Sequence, residues 1–349
     1  MMRLALRTGA KAMKLAIKSA KKPSPSRAVK PASARPGSAK RTIAATASVA
    51  AAGSAGKRVH KTTPQWTTGM APGASGVRHY RLYKPSGVRG SERLPLVVLL
   101  HGCAQDAQAL AASSRMNRLA QLERFMVLYP EQDRLANLHN CWNWYDTRAG
   151  RAQREADSIA AAVAHICLTQ PVDPQRMALM GLSAGAGLAS LLAVRQPERF
   201  QAVVMHSGIG PGQASSSASA IRAMHGHHLA VPLVPLAAGL HLPALLVIQG
   251  SADPIVASSN AAQVAQLWAD REGGRAGQPR IVRRGKRYSA MVTDYRRRGR
   301  LVATLCMING LGHAWSGGAP GLPYSDPKGP DASRMAWTFM KKQFANRVR

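Results

Sequence analysis

The sequence predicts an α/β fold with a mostly parallel central sheet and helices on both faces. Two observations carry that reading. Several short runs are too apolar to alternate, as expected of strands covered on both sides; Leu94–Leu100 reads LPLVVLL. Segments of helical period separate these runs, and strands alternating with helices build parallel sheets.

Taken in order, residues 77–82 read as an edge strand and Leu94–Leu100 as a buried one. A helical stretch follows over 107–123, then a strand over 125–129 closed by Pro130. Residues 151–169 place Ala156, Ile159, Val163, Ile166 and Cys167 on one helical face. A strand at 176–182 runs into a helix of small and apolar residues, Ala184 to Arg195, ended by Pro197. Further strands are expected at 200–206, 243–249 and 301–308, and further helices at 256–270 and 333–346.

In parallel sheets, ligands bind beyond the carboxyl ends of the strands. Chemistry-bearing residues fall at those places. Gly181-Leu182-Ser183-Ala184-Gly185 is a G-x-S-x-G turn between an apolar strand and a helix. A strand-to-helix turn this sharp strains the serine backbone and needs small neighbours. It also sets Ser183 at a helix N-terminus, where N–H groups face a developing oxyanion. A serine hydroxyl needs a base to take its proton. Downstream, Asp253 follows the strand 243–249 and His313 follows the strand 301–308, in the chain order Ser, Asp, His. Asp270 and Asp294 are less well placed: one ends a helix, the other sits among arginines. His206 precedes Ser207-Gly208 at a strand end and is expected to line the site. The oxyanion is expected to rest on the N–H groups of Ala184 and of Cys103, the latter in the loop after Leu94–Leu100.

The flanking regions carry charge more than pattern. The 349 residues have a net charge of +32 and are 46% hydrophobic, and no stretch is long and apolar enough to span a bilayer. The first acidic residue is Glu92, and a second basic cluster spans 283–300. Such a field attracts anions, yet no nucleic-acid-binding motif surrounds it. Residues 1–22 have the composition of a short basic amphipathic helix, without the continuous apolar region of a signal peptide. Residues 23–75 are rich in Ala, Ser, Pro and Gly and read as a flexible linker, so the expected division is a basic tail over 1–75 and a catalytic domain over 76–349.

The blocks His101-Gly102-Cys103-Ala104-Gln105, Tyr129-Pro130-Glu131-Gln132, Cys141-Trp142-Asn143-Trp144, Gly181-Leu182-Ser183-Ala184-Gly185, Ser207-Gly208 and Gly312-His313-Ala314-Trp315-Ser316-Gly317-Gly318 occur in order. Together they resemble the poly(3-hydroxybutyrate) depolymerase family of esterases over about residues 76 to 345. The resemblance implies an α/β-hydrolase domain that cleaves esters of short 3-hydroxyalkanoic acids, with feruloyl and acetylxylan esterases as relatives. It implies no metal or organic cofactor. Residue by residue it supports Ser183, Asp253 and His313, with Cys103 and Ala184 for the oxyanion hole. Trp144 and Trp315 then become expected apolar walls for the acyl chain. A bridge between Cys103 and Cys141 would pin the oxyanion loop and imply an oxidising compartment.

The family points to export, while the N-terminus offers no clear signal; a cytoplasmic or granule-associated protein is the alternative. The expected partners are a polyester or small ester substrate and, through the tail, an anionic or granule surface. No segment reads as a separate polymer-binding domain, so oligomers, amorphous granules or small esters are expected ahead of crystalline polymer. The rivals are a feruloyl or acetylxylan esterase and a non-catalytic granule- or nucleic-acid-binding protein using the tail.

Overall fold

The computed structural model describes residues 63–73, 76–227 and 239–346. The amphipathic helix expected over 1–22 and the tail up to residue 62 lie outside the described residues.

The strands are Gln65–Gly73 (β1), Gly76–Lys84 (β2), Leu94–Leu100 (β3), Met126–Pro130 (β4), Val172–Leu182 (β5), Ala202–His206 (β6), Ala244–Gly250 (β7), Arg275–Ala276 (β8), Arg280–Val282 (β9), Ala290–Arg297 (β10), Arg300–Ile308 (β11), Trp315–Ser316 (β12) and Ser325–Asp326 (β13). The helices are Ala107–Ser114 (α1), Met116–Glu123 (α2), Arg151–Thr169 (α3), Ala184–Arg195 (α4), Ser217–Met224 (α5), Ser259–Glu272 (α6) and Ala332–Asn346 (α7). The main sheet runs β1-β2-β4-β3-β5-β6-β7-β11-β10-β8, with β9 also on β10. From β4 to β11 the neighbours are parallel; both flanks are antiparallel. This is the α/β-hydrolase arrangement expected from the sequence.

Successive side chains of a strand point to opposite faces, and the core divides accordingly. Leu96, Val98 and Leu100 of β3 join Ile159 of α3, Leu188 of α4 and Trp268 of α6. Val97 and Leu99 join Leu110 of α1, Leu119 of α2 and Trp337 of α7 on the other face. Every residue of β3 is buried, which is why its sequence does not alternate.

Three expectations are corrected. Residues 65–73 belong to the sheet rather than to a linker reaching residue 75. They pair with β2 along their full length, so β2 is not the edge strand. Of β1 only Ala71 is fully buried, so the strand leaves no apolar period to read; ladder hydrogen bonds and Trp66, edge-on to Tyr129 at 5.3 Å, hold it. The helix expected over 107–123 is two helices, broken where Arg115 adopts a left-handed φ of 54°. The arginine-rich stretch beyond 290, for which no element was expected, contains β10, paired antiparallel with β11.

Candidate active site

The parallel order brings five strand ends together: β3 into His101, β5 into Ser183, β6 into Ser207, β7 into Ser251 and β11 into Asn309. Each residue expected from the sequence to do chemistry sits on one of the loops that follow.

Ser183 has φ 55° and ψ −120°, the strained backbone of a nucleophile turn. Sterics impose it. A Cβ on Gly181 would overlap the carbonyl group of Gly185, and one on Gly185 would overlap the carbonyl oxygens of Leu100 and His101. Gly208 presses from the β6 side, where a Cβ would meet Ala186 and the Ser183 carbonyl. The turn is tied down by the Ser183 N–H, which donates to the His206 carbonyl at 2.8 Å. Ala184 opens α4, and the first N–H groups of a helix have no acceptor within it.

The loop after β3, expected from the sequence to carry an oxyanion donor, lies against this turn. A Cβ on Gly102 would stand 3.5 Å from the Ser183 Cβ. Cys103 and Cys141 form a disulfide, with their Cα atoms 4.1 Å apart. His101 holds the loop from within: its Nε2 accepts the Gln132 N–H at 3.1 Å, and its carbonyl accepts the Trp142 indole N–H at 3.0 Å. Burial drives its pKa down to about 4, so the ring stays neutral and Nε2 can accept. Beneath, the buried Glu155 carboxylate accepts from Gln132 Nε2, the Asn143 N–H and Asn143 Nδ2 at 2.6–2.8 Å. The blocks around Gln132 and Cys141 are therefore supports of the loop after β3.

Asp253 and His313 are brought together: Nδ1 donates to Oδ2 at 2.8 Å. Asp253 Oδ1 accepts the N–H groups of Ile255 and Val256, both at 2.9 Å, and Oδ2 also accepts from Gln249 Nε2 at 3.0 Å. Burial alone would raise the pKa of this carboxyl. The His313 hydrogen bond and charge, with the two N–H bonds, outweigh it and hold the group below its usual range. The alternative acids are engaged elsewhere: Asp294 accepts from Thr304 and Arg280, and Asp270 from Gln266.

The loop that carries His313 crosses two strands toward β5. After β11 the chain folds over the end of β7, where the Ala252 N–H donates to the Leu311 carbonyl at 3.1 Å. It then arrives at β6, where the Ser316 N–H donates to His206 Nε2 at 3.1 Å. β6 pairs directly with β5, Leu182 opposite His206. Thus His206 holds the serine turn with its carbonyl and the histidine loop with its ring. The Ser183 hydroxyl itself makes no hydrogen bond to His313 in this structure; such bonds tighten once substrate is bound.

Two expected substrate contacts are corrected. His206 and Trp315 are fully buried and present no surface to a ligand. They stack on each other at 5.4 Å, and Trp315 Nε1 donates to Ser333 Oγ. His206 Nδ1 lies 3.0 Å from Ser207 Oγ, and burial takes its pKa to about 3, so the ring is neutral. Trp144 remains half-exposed, packed on Gly187 and near Ile209 and Ile255. The sequence reading passed over two residues at the site. Gln249 steadies Asp253, signalled only by a polar residue ending an apolar strand. Tyr324 stands edge-on to the His313 ring at 6.5 Å, and no motif marks it.

Poly(3-hydroxyalkanoate) depolymerase C of Paucimonas lemoignei is 37% identical over 134 residues, 38% of this chain and 31% of that protein. Acetylxylan esterase A of Talaromyces purpureogenus is 27% identical over 228 residues, 61% of this chain and 58% of that one. The chain thus spans less than two thirds of either relative. An acetyl xylan esterase structure from Aspergillus awamori superposes with a TM-score of 0.56 at 17% identity, covering 72% of this chain and 93% of that one; this likeness shows the α/β-hydrolase fold. The family model described as esterase PHB depolymerase matches residues 78–284, which hold the serine turn, the loop after β3 and Asp253 and make up more than half of the chain, so the protein belongs to that family of esterases.

Proposed function

We propose that this esterase hydrolyses esters of short 3-hydroxyalkanoic acids, as polymer or oligomer, through Ser183, His313 and Asp253. The observation that carries this reading is the Asp253–His313 bond of 2.8 Å, delivered to the strand end beside the strained Ser183 turn. Asp253 fixes the tautomer in which Nδ1 carries the proton and Nε2 is free to act as base. Ser183 attacks the ester carbonyl as His313 takes its proton. The oxyanion rests on the Ala184 and Cys103 N–H groups. His313 then protonates the leaving alcohol, and later activates water to release the acyl group. Trp144 is the remaining candidate wall for the acyl chain.

The likeness to the polyhydroxyalkanoate depolymerase, the stronger of the two in identity, favours hydroxyacid esters. The longer match to an acetylxylan esterase supports a second reading, removal of acyl groups from carbohydrate. The Cys103–Cys141 bridge supports work in an oxidising compartment.

The deciding experiment is Ser183→Ala assayed on p-nitrophenyl butyrate. Turnover is expected to fall at least about 10³-fold while the circular dichroism spectrum is kept. Undiminished turnover overturns the assignment. Rates on hydroxybutyrate oligomers against acetylated and feruloylated sugars separate the two substrate readings.

A further inference from the structure

We infer that a basic hollow at the catalytic end of the sheet is a subsite for the carboxylate of an anionic ester substrate. This rests on the hydroxyacid-ester reading above and narrows it to chains that end in a free carboxylate.

Position is the first observation. β10 runs antiparallel to β11, so the segment entering β10 lies where β11 ends. Ala290 pairs with Ile308, and the Asn309 N–H donates to the Ser289 carbonyl at 2.9 Å. Residues 284–288 are therefore beside the root of the loop that carries His313. A second segment closes the hollow from the other side. It starts at Tyr324, edge-on to the His313 ring, and runs to Lys328, whose carbonyl accepts the Tyr288 N–H at 3.0 Å. The Arg287 guanidinium donates to the carbonyls of Pro327 and Gly329 and joins the two segments.

Charge is the second observation. Between the segments is an open hollow of about 480 Å³ lined by Arg284, Lys286, Arg287, Tyr288, Pro327 and Lys328. Four of these six are cations and none is an acid. Among the described residues Arg284, Lys286 and Lys328 form no ion pair, whereas Arg280 and Arg296 are paired with Asp294, and Arg300 with Glu272. Asp326 stands beside the hollow and accepts the Lys328 backbone N–H at 2.8 Å. Arg297 and Arg298, at the far end of β10, are, like the hollow's cations, without an ion pair among the described residues. What sets the hollow apart is that four cations meet around one concavity, at the end of the sheet where β11 delivers the loop that carries His313.

Reach is the third. Lys328 lies four positions beyond Tyr324, at most about 13 Å of chain. A carboxylate in the hollow must be joined to the scissile carbonyl by a chain of comparable length. A short hydroxyacid oligomer has that form: its carboxylate lies on the alcohol side of the scissile ester. Hydrolysis adds water across the bond, leaving a hydroxyl on the fragment held in the hollow and a new carboxylate on the acyl fragment. That new end is the group the hollow would take in a following cycle.

The test compares the free-acid trimer of 3-hydroxybutyrate with its methyl ester, at neutral pH and low salt. Wild type is expected to favour the free acid in kcat/KM by roughly tenfold, a few-fold for each exposed cation. The preference should lie mainly in KM and should shrink toward unity in 1 M salt, where screening acts within about 3 Å. The triple variant Arg284→Ala, Lys286→Ala, Lys328→Ala should lose it, and the pair Lys286→Arg, Lys328→Arg should keep it. No preference in wild type overturns the inference and leaves the hydroxyacid-ester reading intact, as does a preference that survives the triple variant. No turnover of either trimer overturns both.

Discussion

The turn that carries Ser183 and the loop that carries His313 arrive at the same strand ends by different physics. The turn is shaped by exclusion: Gly181, Gly185 and Gly208 sit where any side chain would overlap backbone or a packed methyl group. The loop is shaped by directed bonds between groups far apart in sequence. Its anchors are the Asp253–His313 bond, the Ala252 N–H on Leu311, and the Ser316 N–H on His206. A backbone held by exclusion needs particular small residues at particular spacings and so leaves a motif. One held by hydrogen bonds needs only some partner with the right geometry, and leaves single residues scattered along the chain.

The largest effect expected from this contrast is at Gly185. Gly185→Ala drives a methyl group into the carbonyl oxygens of Leu100 and His101, joining the turn, β3 and the oxyanion loop in one clash. A loss of about 3 kcal/mol or more is expected in urea unfolding. A loss below about 1 kcal/mol would show that the backbone yields and that exclusion is not what shapes the turn.

Next comes His206, the strut between the two regions. His206→Ala removes a buried ring and orphans the Ser316 N–H, a cost of about 2–4 kcal/mol. Because the same change frees the loop carrying His313, kcat should fall at least tenfold with KM nearly unchanged, the signature of lost positioning. His206→Gln, whose amide oxygen can stand in for Nε2, should recover part of kcat. If kcat holds in the alanine variant, the ring is packing alone and the loop is positioned by Asp253.

The effect that is smallest for each residue is in pH. His101 and His206 have folded pKa values of about 4 and about 3, against about 6.5 in an unfolded chain. The unfolded state therefore binds more protons below pH 6.5, so this stability is complete above that pH and is lost as pH falls. At pH 5 each ring should cost about 2 kcal/mol relative to pH 7. Urea midpoints across pH 7 to 5 measure it. A flat profile would mean that neither ring must stay neutral to accept its N–H, and the loops of both regions would need another anchor.

Much of this was legible in the sequence. The bounds of β3, α3 and α4 match the expected ones because their apolar patterns depend on local period alone. The strand-end positions of Ser183, Asp253 and His313 were readable because each follows an apolar strand. Other features left less trace. β1 is exposed along most of its length, so its pairing with β2 has no apolar period to announce it. Trp315 and His206 looked like lining because they flank the motifs; burial against each other decided otherwise.

By itself, then, the sequence determined the parallel sheet and the serine turn, and it pointed to Asp253 and His313, the pair that the folded chain joins by a hydrogen bond. These depend on residue type and spacing, which are properties of the chain. Only the tertiary structure decided that His206 joins the serine turn to the histidine loop, that Glu155 underlies the loop after β3, and that the basic turn before β10 lies at the sheet end where β11 finishes. Those are relations between strands brought side by side by the sheet order, and a distance across a sheet is not written in the order of residues along it.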